Sequence, residues 1–254
     1  MHSLHEKVWG STALSPWHPD SKNKIGEVWF EAPADVPLLV KFLFTTENLS
    51  VQVHPEDAYA REHHNGSNGK TEMWHILRAD PGARIALGLK QTITAEKLRA
   101  ASINGEIMDL LNWIEVKPGE TFYTPARTIH AIGAGIALCE IQQISDVTYR
   151  LYDYGRPREL HLDHGVAVSN LEAYQPADID TCPYFRTKLI EADAPVEIDI
   201  PEPSILICLQ GAGNLDVTGR YHPGEAWRIA NPTVRIAPGE ASRFLLTHVP
   251  PRYS

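Results

Sequence analysis

Four residues of the chain carry side chains that suit a divalent metal ion: Gln52, His54, Glu72 and His130. Gln52 and His54 stand two apart in the apolar run Leu49–His54, so a strand would point both side chains to one face. Imidazole nitrogens and carboxylate oxygens bind zinc and other first-row divalent ions, and glutamine adds a neutral oxygen. Taken alone, a histidine in a strand is more often hydrogen-bonded than metal-bound. Residue type and spacing therefore leave two hypotheses open, a metal site and a structural role.

The surrounding sequence predicts an all-β protein that could position these residues. Short runs rich in Val, Ile, Leu and Tyr are separated by 19 prolines and 17 glycines spread along the chain. Short strands at regular spacing, broken by turn residues, are typical of a sandwich or a barrel. The segment 94–112 has helical residue types interrupted by Asn104-Gly105, and predicts two short helices with Thr94 as an N-cap. A further helical patch is predicted from Leu160 to Tyr174.

A weak internal repeat suggests two similar halves. Pro-Gly-Glu turns occur at Pro118–Glu120, Pro223–Glu225 and Pro238–Glu240, and the first two lead into apolar and aromatic strands. Such turns are common in β proteins, but two stacked barrels would also explain them.

Composition and charge exclude several classes of function. The 254 residues include 43% hydrophobic and 22% charged residues, and the net charge is -9. A net-acidic chain is poorly suited to hold nucleic acid or an anionic membrane non-specifically, although a local basic pocket for a small phosphate is compatible with it. No apolar stretch approaches ~18 residues, and the first twenty residues lack an apolar signal core. Three scattered cysteines without a C-x-x-C pair (Cys139, Cys182 and Cys208) predict reduced thiols in a cytoplasmic protein.

Three ordered blocks carry a resemblance to a known family. They are Leu49–Ala60, Gly69–Trp74 and the segments between Thr128 and Tyr154. These blocks closely resemble the type I mannose-6-phosphate isomerases of the short bacterial form, in the cupin superfamily. The resemblance covers roughly residues 5 to 165 and is faint beyond them. The segment 119–130 also resembles the second cupin motif, in which Arg127 replaces the usual glycine.

The resemblance implies two cupin (jelly-roll) β-barrels with a few short helices. We place an N-terminal catalytic cupin domain at residues 1–160, including the helical segment at about 94–112. A linker at 161–182 and a metal-free C-terminal cupin domain at 183–254 follow. His222 and His248 of the C-terminal half have no potential ligand cluster near them in the sequence.

The resemblance also implies the residues of the site. In that family the positions of Gln52, His54, Glu72 and His130 bind zinc, which implies one Zn²⁺ per chain. An essential arginine stands at the position of Arg150, and a lysine precedes the metal-binding glutamate at the position of Lys70. Without the resemblance, these two residues would be interpreted as a paired surface arginine and a solvated turn lysine.

The implied reaction interconverts mannose 6-phosphate and fructose 6-phosphate through an enediol(ate). The partner is then a small-molecule sugar phosphate, and the sequence leaves the oligomeric state open. A divalent metal would polarise the substrate oxygens, and Arg150 and Lys70 would stabilise negative charge or hold the phosphate. The general base stays open among a metal-bound water, Lys70 and Glu27.

Three alternatives remain. A metal-binding cupin could sense or bind a sugar without turnover. An isomerase for a different sugar is suggested by the short stretch between Trp29 and Pro37, where family members carry more chain. A metal-dependent oxygenase would use two histidines and one carboxylate without a fourth protein ligand, and Gln52 argues against it. His161 and His164, three apart in the second helical patch, are less favoured as another metal site.

Overall fold

The computed structural model describes residues 2–31, 35–201 and 203–250. Within these ranges the N-terminal half contains the strands β1 (His2–Ser11), β2 (Ile25–Phe30), β3 (Leu38–Phe44), β4 (Val51–Val53), β5 (Glu72–Ala79), β6 (Arg84–Leu89), β7 (Leu111–Glu115), β8 (Thr121–Thr124), β9 (His130–Ile132), β10 (Ile136–Gln143) and β11 (Tyr149–Tyr152). They form sheet A, in the order β1-β2-β3-β10-β5-β8, and sheet B, in the order β11-β4-β9-β6-β7.

The C-terminal half contains two further sheets. Its strands are β12 (Arg186–Ala192), β13 (Val196–Asp199), β14 (Ser204–Gln210), β15 (Gly213–Leu215), β16 (Gly219–Tyr221), β17 (Ala226–Ile229), β18 (Thr233–Pro238) and β19 (Ser242–His248). Sheet C has the order β12-β19-β14-β17, and sheet D has the order β13-β18-β15-β16. The predicted all-β, cupin-like fold is confirmed. Each half, in the residues described, is a pair of sheets rather than a closed hydrogen-bonded barrel.

Four short α-helices accompany the sheets in the described ranges: α1 (Asp57–His63), α2 (Ala95–Asn104), α3 (Ile107–Leu110) and α4 (Leu162–Val168). A single 3₁₀ turn covers Ile179–Thr181. The two helices expected within 94–112 are α2 and α3. The Thr94 hydroxyl accepts a hydrogen bond from the Lys97 backbone N–H at 3.2 Å, which confirms the predicted N-cap. None of these helices is long and apolar enough to cross a membrane.

The second helical patch is shorter than the sequence predicts. Helix α4 ends at Val168, and the prediction extended to Tyr174. The backbone after α4 instead bonds to the N-terminal half, because Leu171 O accepts from Ile93 N at 3.0 Å and Tyr174 N donates to Leu89 O at 2.8 Å. These tertiary hydrogen bonds replace those that further helical turns would make.

Apolar layers hold the sheets together in a stack. Helices α2, α3 and α4 pack on the outer face of sheet B, and an apolar cluster that includes Trp74 and Ile85 lies between sheets B and A. The outer face of sheet A packs on sheet C through residues such as Phe42 and Ile207, and sheets C and D enclose a further core. The proposed domain limits stay a prediction, since this A–C layer joins the two halves.

Candidate metal centre and active-site cavity

The predicted ligands converge between sheets A and B. Gln52 of β4 lies opposite His130 of β9 and opposite Arg150 of β11, so the three side chains form a row on one face of sheet B. His54 follows β4 directly, and Glu72 begins β5 in sheet A. The side chains of His54, Glu72 and His130 offer ligand atoms that lie within 4.8 Å of one another.

The two imidazoles turn the same ring nitrogen toward Glu72. The His54 Nε2 atom lies 3.7 Å from Glu72 Oε2, and His130 Nε2 lies 3.4 Å from Glu72 Oε1. The His54 Nδ1 atom lies 2.9 Å from Val147 O, and His130 Nδ1 lies 2.8 Å from Thr128 O. A carbonyl can only accept, so each Nδ1 carries the proton and each Nε2 presents a lone pair in the neutral ring.

Burial keeps both imidazoles neutral. His54 and His130 are each 1% exposed. Burial, followed by the nearby Lys70 charge, lowers the pKa of His54 well below its usual value and that of His130 to about 4. Neutral imidazole is the form that binds a metal ion.

The donor set fits a divalent cation. Glu72 is fully buried, and its Oε1 atom has no hydrogen-bond partner. Burial raises the pKa of Glu72 to about 7 against the opposing effect of Lys70. Gln52 adds an amide whose Nε2 lies 3.3 Å from His130 Nε2, and rotation of that amide by half a turn would present its oxygen. A carboxylate oxygen beside two imidazole lone pairs is a set of acceptors that a metal ion would satisfy.

A buried charge network adjoins these ligands. The Lys70 ammonium contacts Glu72 Oε2 and lies 3.1 Å from His54 Nε2 and 3.9 Å from Glu140 Oε1. The Glu140 carboxylate also lies 3.3 Å from Lys41 Nζ. Burial alone would lower the pKa of Lys70, but Glu140 and Glu72 raise it above the usual value. Burial alone would raise the pKa of Glu140, but Lys70 and Lys41 hold it below the usual value.

Lys41 and Glu140 are functional candidates that sequence reasoning missed. They are cross-strand neighbours in β3 and β10, and the Trp74 indole donates to Glu140 Oε2 at 3.0 Å. Both are at most 5% exposed. The sequence signal for each residue is a single charge inside an otherwise apolar strand, because a charge is costly to bury unless it is paired.

A cavity of about 260 Å³ opens beside the centre. Its lining contains the predicted residues Gln52, Lys70 and Arg150, and also Glu27, Lys41 and Glu140 among others. The Arg150 Nη1 atom donates to Glu159 O at 2.9 Å, and its Nε is buried without a partner. Three larger hollows, of about 390, 840 and 450 Å³, contain none of these residues. All six predicted site residues are thus brought together, while their roles stay predictions.

The turn before His130 adopts the geometry that the cupin motif normally obtains from glycine. Arg127 has a φ of 74°, in the left-handed region of the backbone that residues other than glycine rarely occupy. Its backbone N donates to His54 O and its backbone O accepts from Asn170 N, both at 2.8 Å. Its Nε donates to Val168 O at 3.2 Å. These bonds hold the arginine in the conformation that the turn requires.

Comparison with known proteins agrees with this geometry. The chain is 38% identical over 206 residues to the mannose-6-phosphate isomerase ManA of Bacillus subtilis, a match that covers 73% of this chain and 65% of that protein. It is 37% identical over 201 residues to the mannose-6-phosphate isomerase of Streptococcus mutans, with 71% and 63% covered. The chain belongs to the mannose-6-phosphate isomerase family. The chain spans less than two thirds of the length of each of these two relatives.

Solved structures share the fold of this chain. The crystal structure of the mannose 6-phosphate isomerase from Bacillus subtilis superposes with a TM-score of 0.86 at 26% identity, covering 98% of both chains. A variant of the phosphomannose isomerase from Salmonella typhimurium superposes with a TM-score of 0.75 at 18% identity, also over 98% of both chains, and shares the fold. No protein-family model matches the sequence.

Proposed function

We propose that the chain is a zinc-dependent aldose–ketose isomerase that interconverts mannose 6-phosphate and fructose 6-phosphate. The observation that carries this proposal is the buried acceptor group of His54, Glu72 and His130 beside a cavity lined by Lys70 and Arg150. The names of the relatives supply the substrate. The proposal includes a sugar phosphate as the partner and, from the three buried free cysteines, a cytoplasmic location.

The reaction must remove a proton beside a carbonyl group, and this places negative charge on a substrate oxygen. One zinc ion, held by Gln52, His54, Glu72 and His130, would polarise the oxygens at C1 and C2. The Arg150 Nε, a buried donor without a partner, fits an oxyanion in the cavity. A guanidinium in this position needs no reorganisation as charge develops.

Lys70 and Glu27 divide two further tasks in this proposal. Lys70 lies between the carboxylates of Glu72 and Glu140, an arrangement that favours the ammonium form and suits stabilisation of charge. Glu27 lines the cavity, and its Oε2 accepts a hydrogen bond from the Trp29 indole at 2.5 Å. A carboxylate fixed in this way can accept the proton from one substrate carbon and return it to the other.

The phosphate has cations available within the same cavity. Lys7 and Arg158 line it together with Arg150, although the whole chain has a net charge of -9. Arg158 is held by the buried Asp153, with its Nε 2.6 Å from Asp153 Oδ2. Such a fixed guanidinium suits a phosphate dianion.

A coupled assay with a panel of substrates tests the function. Phosphorylated and free hexoses and pentoses are offered to the protein with and without added zinc. We expect mannose 6-phosphate to turn over in the presence of zinc, and free mannose to be a much poorer substrate. Equal kcat/KM values for mannose and mannose 6-phosphate would contradict the phosphate assignment. Metal-dependent sugar binding without any turnover would favour a sugar-sensing module.

A different sugar is the second candidate. The stretch between Trp29 and Pro37 is short, and the matches span only 65% and 63% of the lengths of the two curated relatives. Another hexose or pentose phosphate as the best substrate in the same panel would support this candidate.

A further inference from the structure

Arg150 lies on a strand that has a strand neighbour on only one side. β11 is the edge strand of sheet B and pairs with β4 alone in the described residues. On the other side, His161 bonds to the Arg150 backbone. The Arg150 backbone N–H donates to His161 Nδ1 at 3.0 Å, and the Arg150 carbonyl accepts from the His161 backbone N–H at 2.8 Å. His161 thus satisfies both backbone groups that a further strand would have bonded.

The same short segment also holds the guanidinium. Arg150 Nη1 donates to the carbonyl of Glu159, two residues before His161, at 2.9 Å. The backbone and the side chain of Arg150 are therefore both fixed by residues 159–161. The remaining Nε is the buried donor without a partner that our proposed function directs at the substrate.

His161 is itself tied to a well-packed helix. It is the N-cap of α4, and its carbonyl accepts from Gly165 N at 2.8 Å. Gly165 lets α4 approach β11 closely, because a Cβ atom there would lie 2.7 Å from Leu151 Cδ2. One turn along the helix, the His164 ring stacks on Tyr149 with a centroid distance of 5.2 Å. The close approach at Gly165 gives His161 a fixed position from which to hold the strand, whereas the His164 ring contacts Tyr149 and makes no hydrogen bond to Arg150.

We infer that His161 is a positioning residue that fixes Arg150 for the substrate, an inference that rests on the proposed function. His161 is absent from the cavity lining, so it acts through Arg150 and does not touch the substrate. Its Nδ1 must accept a hydrogen bond, which requires the neutral ring with the proton on Nε2. Burial, together with the charge of Arg150, lowers the pKa of His161 and favours that neutral form.

Four substitutions separate this bond from general packing. His161→Phe keeps the ring volume and removes the acceptor, and His161→Ala serves as a second loss variant. His161→Asn keeps an acceptor near the position of Nδ1. His164→Asn is the matched control, because it changes a histidine of the same helix that does not bond Arg150. Metal content is measured for every variant.

We expect His161→Phe to lower kcat by about 10- to 100-fold with unchanged metal content, since a small displacement of a fixed catalytic group has effects of this order. His161→Asn should recover most of the activity, and His164→Asn should retain it. In an Arg150→Ala background, His161→Phe should cause no further loss, because the group that it positions is already gone. Equal losses in His161→Phe and His164→Asn, or additive losses with Arg150→Ala, would overturn the inference.

A measurement without substrate separates this inference from the proposed function. Hydrogen exchange at the Arg150 backbone amide, followed by NMR, should accelerate at least ~10-fold in His161→Phe and His161→Ala but not in His161→Asn or His164→Asn. Unchanged exchange in both loss variants would overturn the inference even in an active isomerase. If the exchange accelerates but the wild-type protein has no isomerase activity, the proposed function is contradicted. The positioning of Arg150 by His161 would still be supported.

Discussion

The two halves of the molecule use the space between their sheets for different purposes. Between sheets A and B lie buried charged and titratable side chains: Lys41, His54, Lys70, Glu72, His130 and Glu140. Between sheets C and D lies an apolar core that includes Leu206, Tyr221 and Phe244. The buried polar side chains of the described part of the C-terminal half are limited to Ser204, Ser242 and Thr247.

This difference indicates which interior is maintained for chemistry. Burying a charge costs several kcal/mol in order of magnitude, even when a partner recovers part of that cost. An apolar core of the same shape stabilises a pair of sheets without that cost, as sheets C and D demonstrate. The charges between sheets A and B are therefore explained better by function than by stability.

Removal of the metal ligands should have the largest effect. His54→Ala combined with His130→Ala should reduce bound metal from about one equivalent to near zero, and turnover by on the order of 10³ or more. The matched control is His222→Gln with His248→Gln in the C-terminal half, which should retain both. Loss of metal from the control would place part of the site in the second pair of sheets.

Single truncations in the two interiors should be equally destabilising but functionally different. Glu140→Ala leaves two buried lysines with less compensating charge, and Phe244→Ala leaves a cavity, so each should lower the free energy of unfolding by about 3–5 kcal/mol. Denaturant titration measures both. The folded fraction of Phe244→Ala should keep its kcat, whereas Glu140→Ala should lose activity even when fully folded. Full activity in folded Glu140→Ala would remove the functional distinction between the interiors.

Arg150 should affect catalysis without affecting the metal. Arg150→Ala should fold and bind metal normally and lose on the order of 10²–10³ in kcat, since it removes a donor to the developing oxyanion. Arg150→Lys keeps the charge but loses the fork, so it should remain impaired. A raised KM with intact kcat would instead assign Arg150 to holding the phosphate. Steady-state kinetics with metal analysis separates these results.

The smallest expected effect concerns pH and a histidine near the C-terminal half. His75 is 4% exposed and pairs with the Thr121 hydroxyl at 2.9 Å. Burial, followed by the Arg243 charge of β19, lowers its pKa from 6.5 to about 4. Between these values the unfolded chain binds a proton that the folded chain does not, so stability should fall as pH falls from 6.5 to 4, by on the order of 2 kcal/mol.

Denaturant titrations across this pH window compare the wild type with His75→Phe. The substitution removes the titrating group, so it should flatten the dependence of stability on pH. If stability depends on pH equally in both proteins, groups other than His75 cause the change in this pH range.

The sequence predicts the centre better than the network around it. Gln52 and His54 could be placed on one face because a strand repeats every two residues, and the family blocks supplied the partners in the other strands. Lys41 and Glu140 could not be placed, because each stands within an apolar strand and the sheet pairing alone brings them together. Arg127 departs from the motif in sequence, and only the tertiary bonds explain how a non-glycine residue keeps the turn.

A metal titration followed by turnover tests the central claim most directly. The protein is stripped with a chelator, and zinc is added back while conversion of mannose 6-phosphate to fructose 6-phosphate is followed. If the interior between sheets A and B holds one catalytic metal, activity should be lost on stripping, rise linearly and reach a plateau at about one equivalent per chain. Full turnover by metal-free protein, or a plateau at two equivalents, would contradict the account.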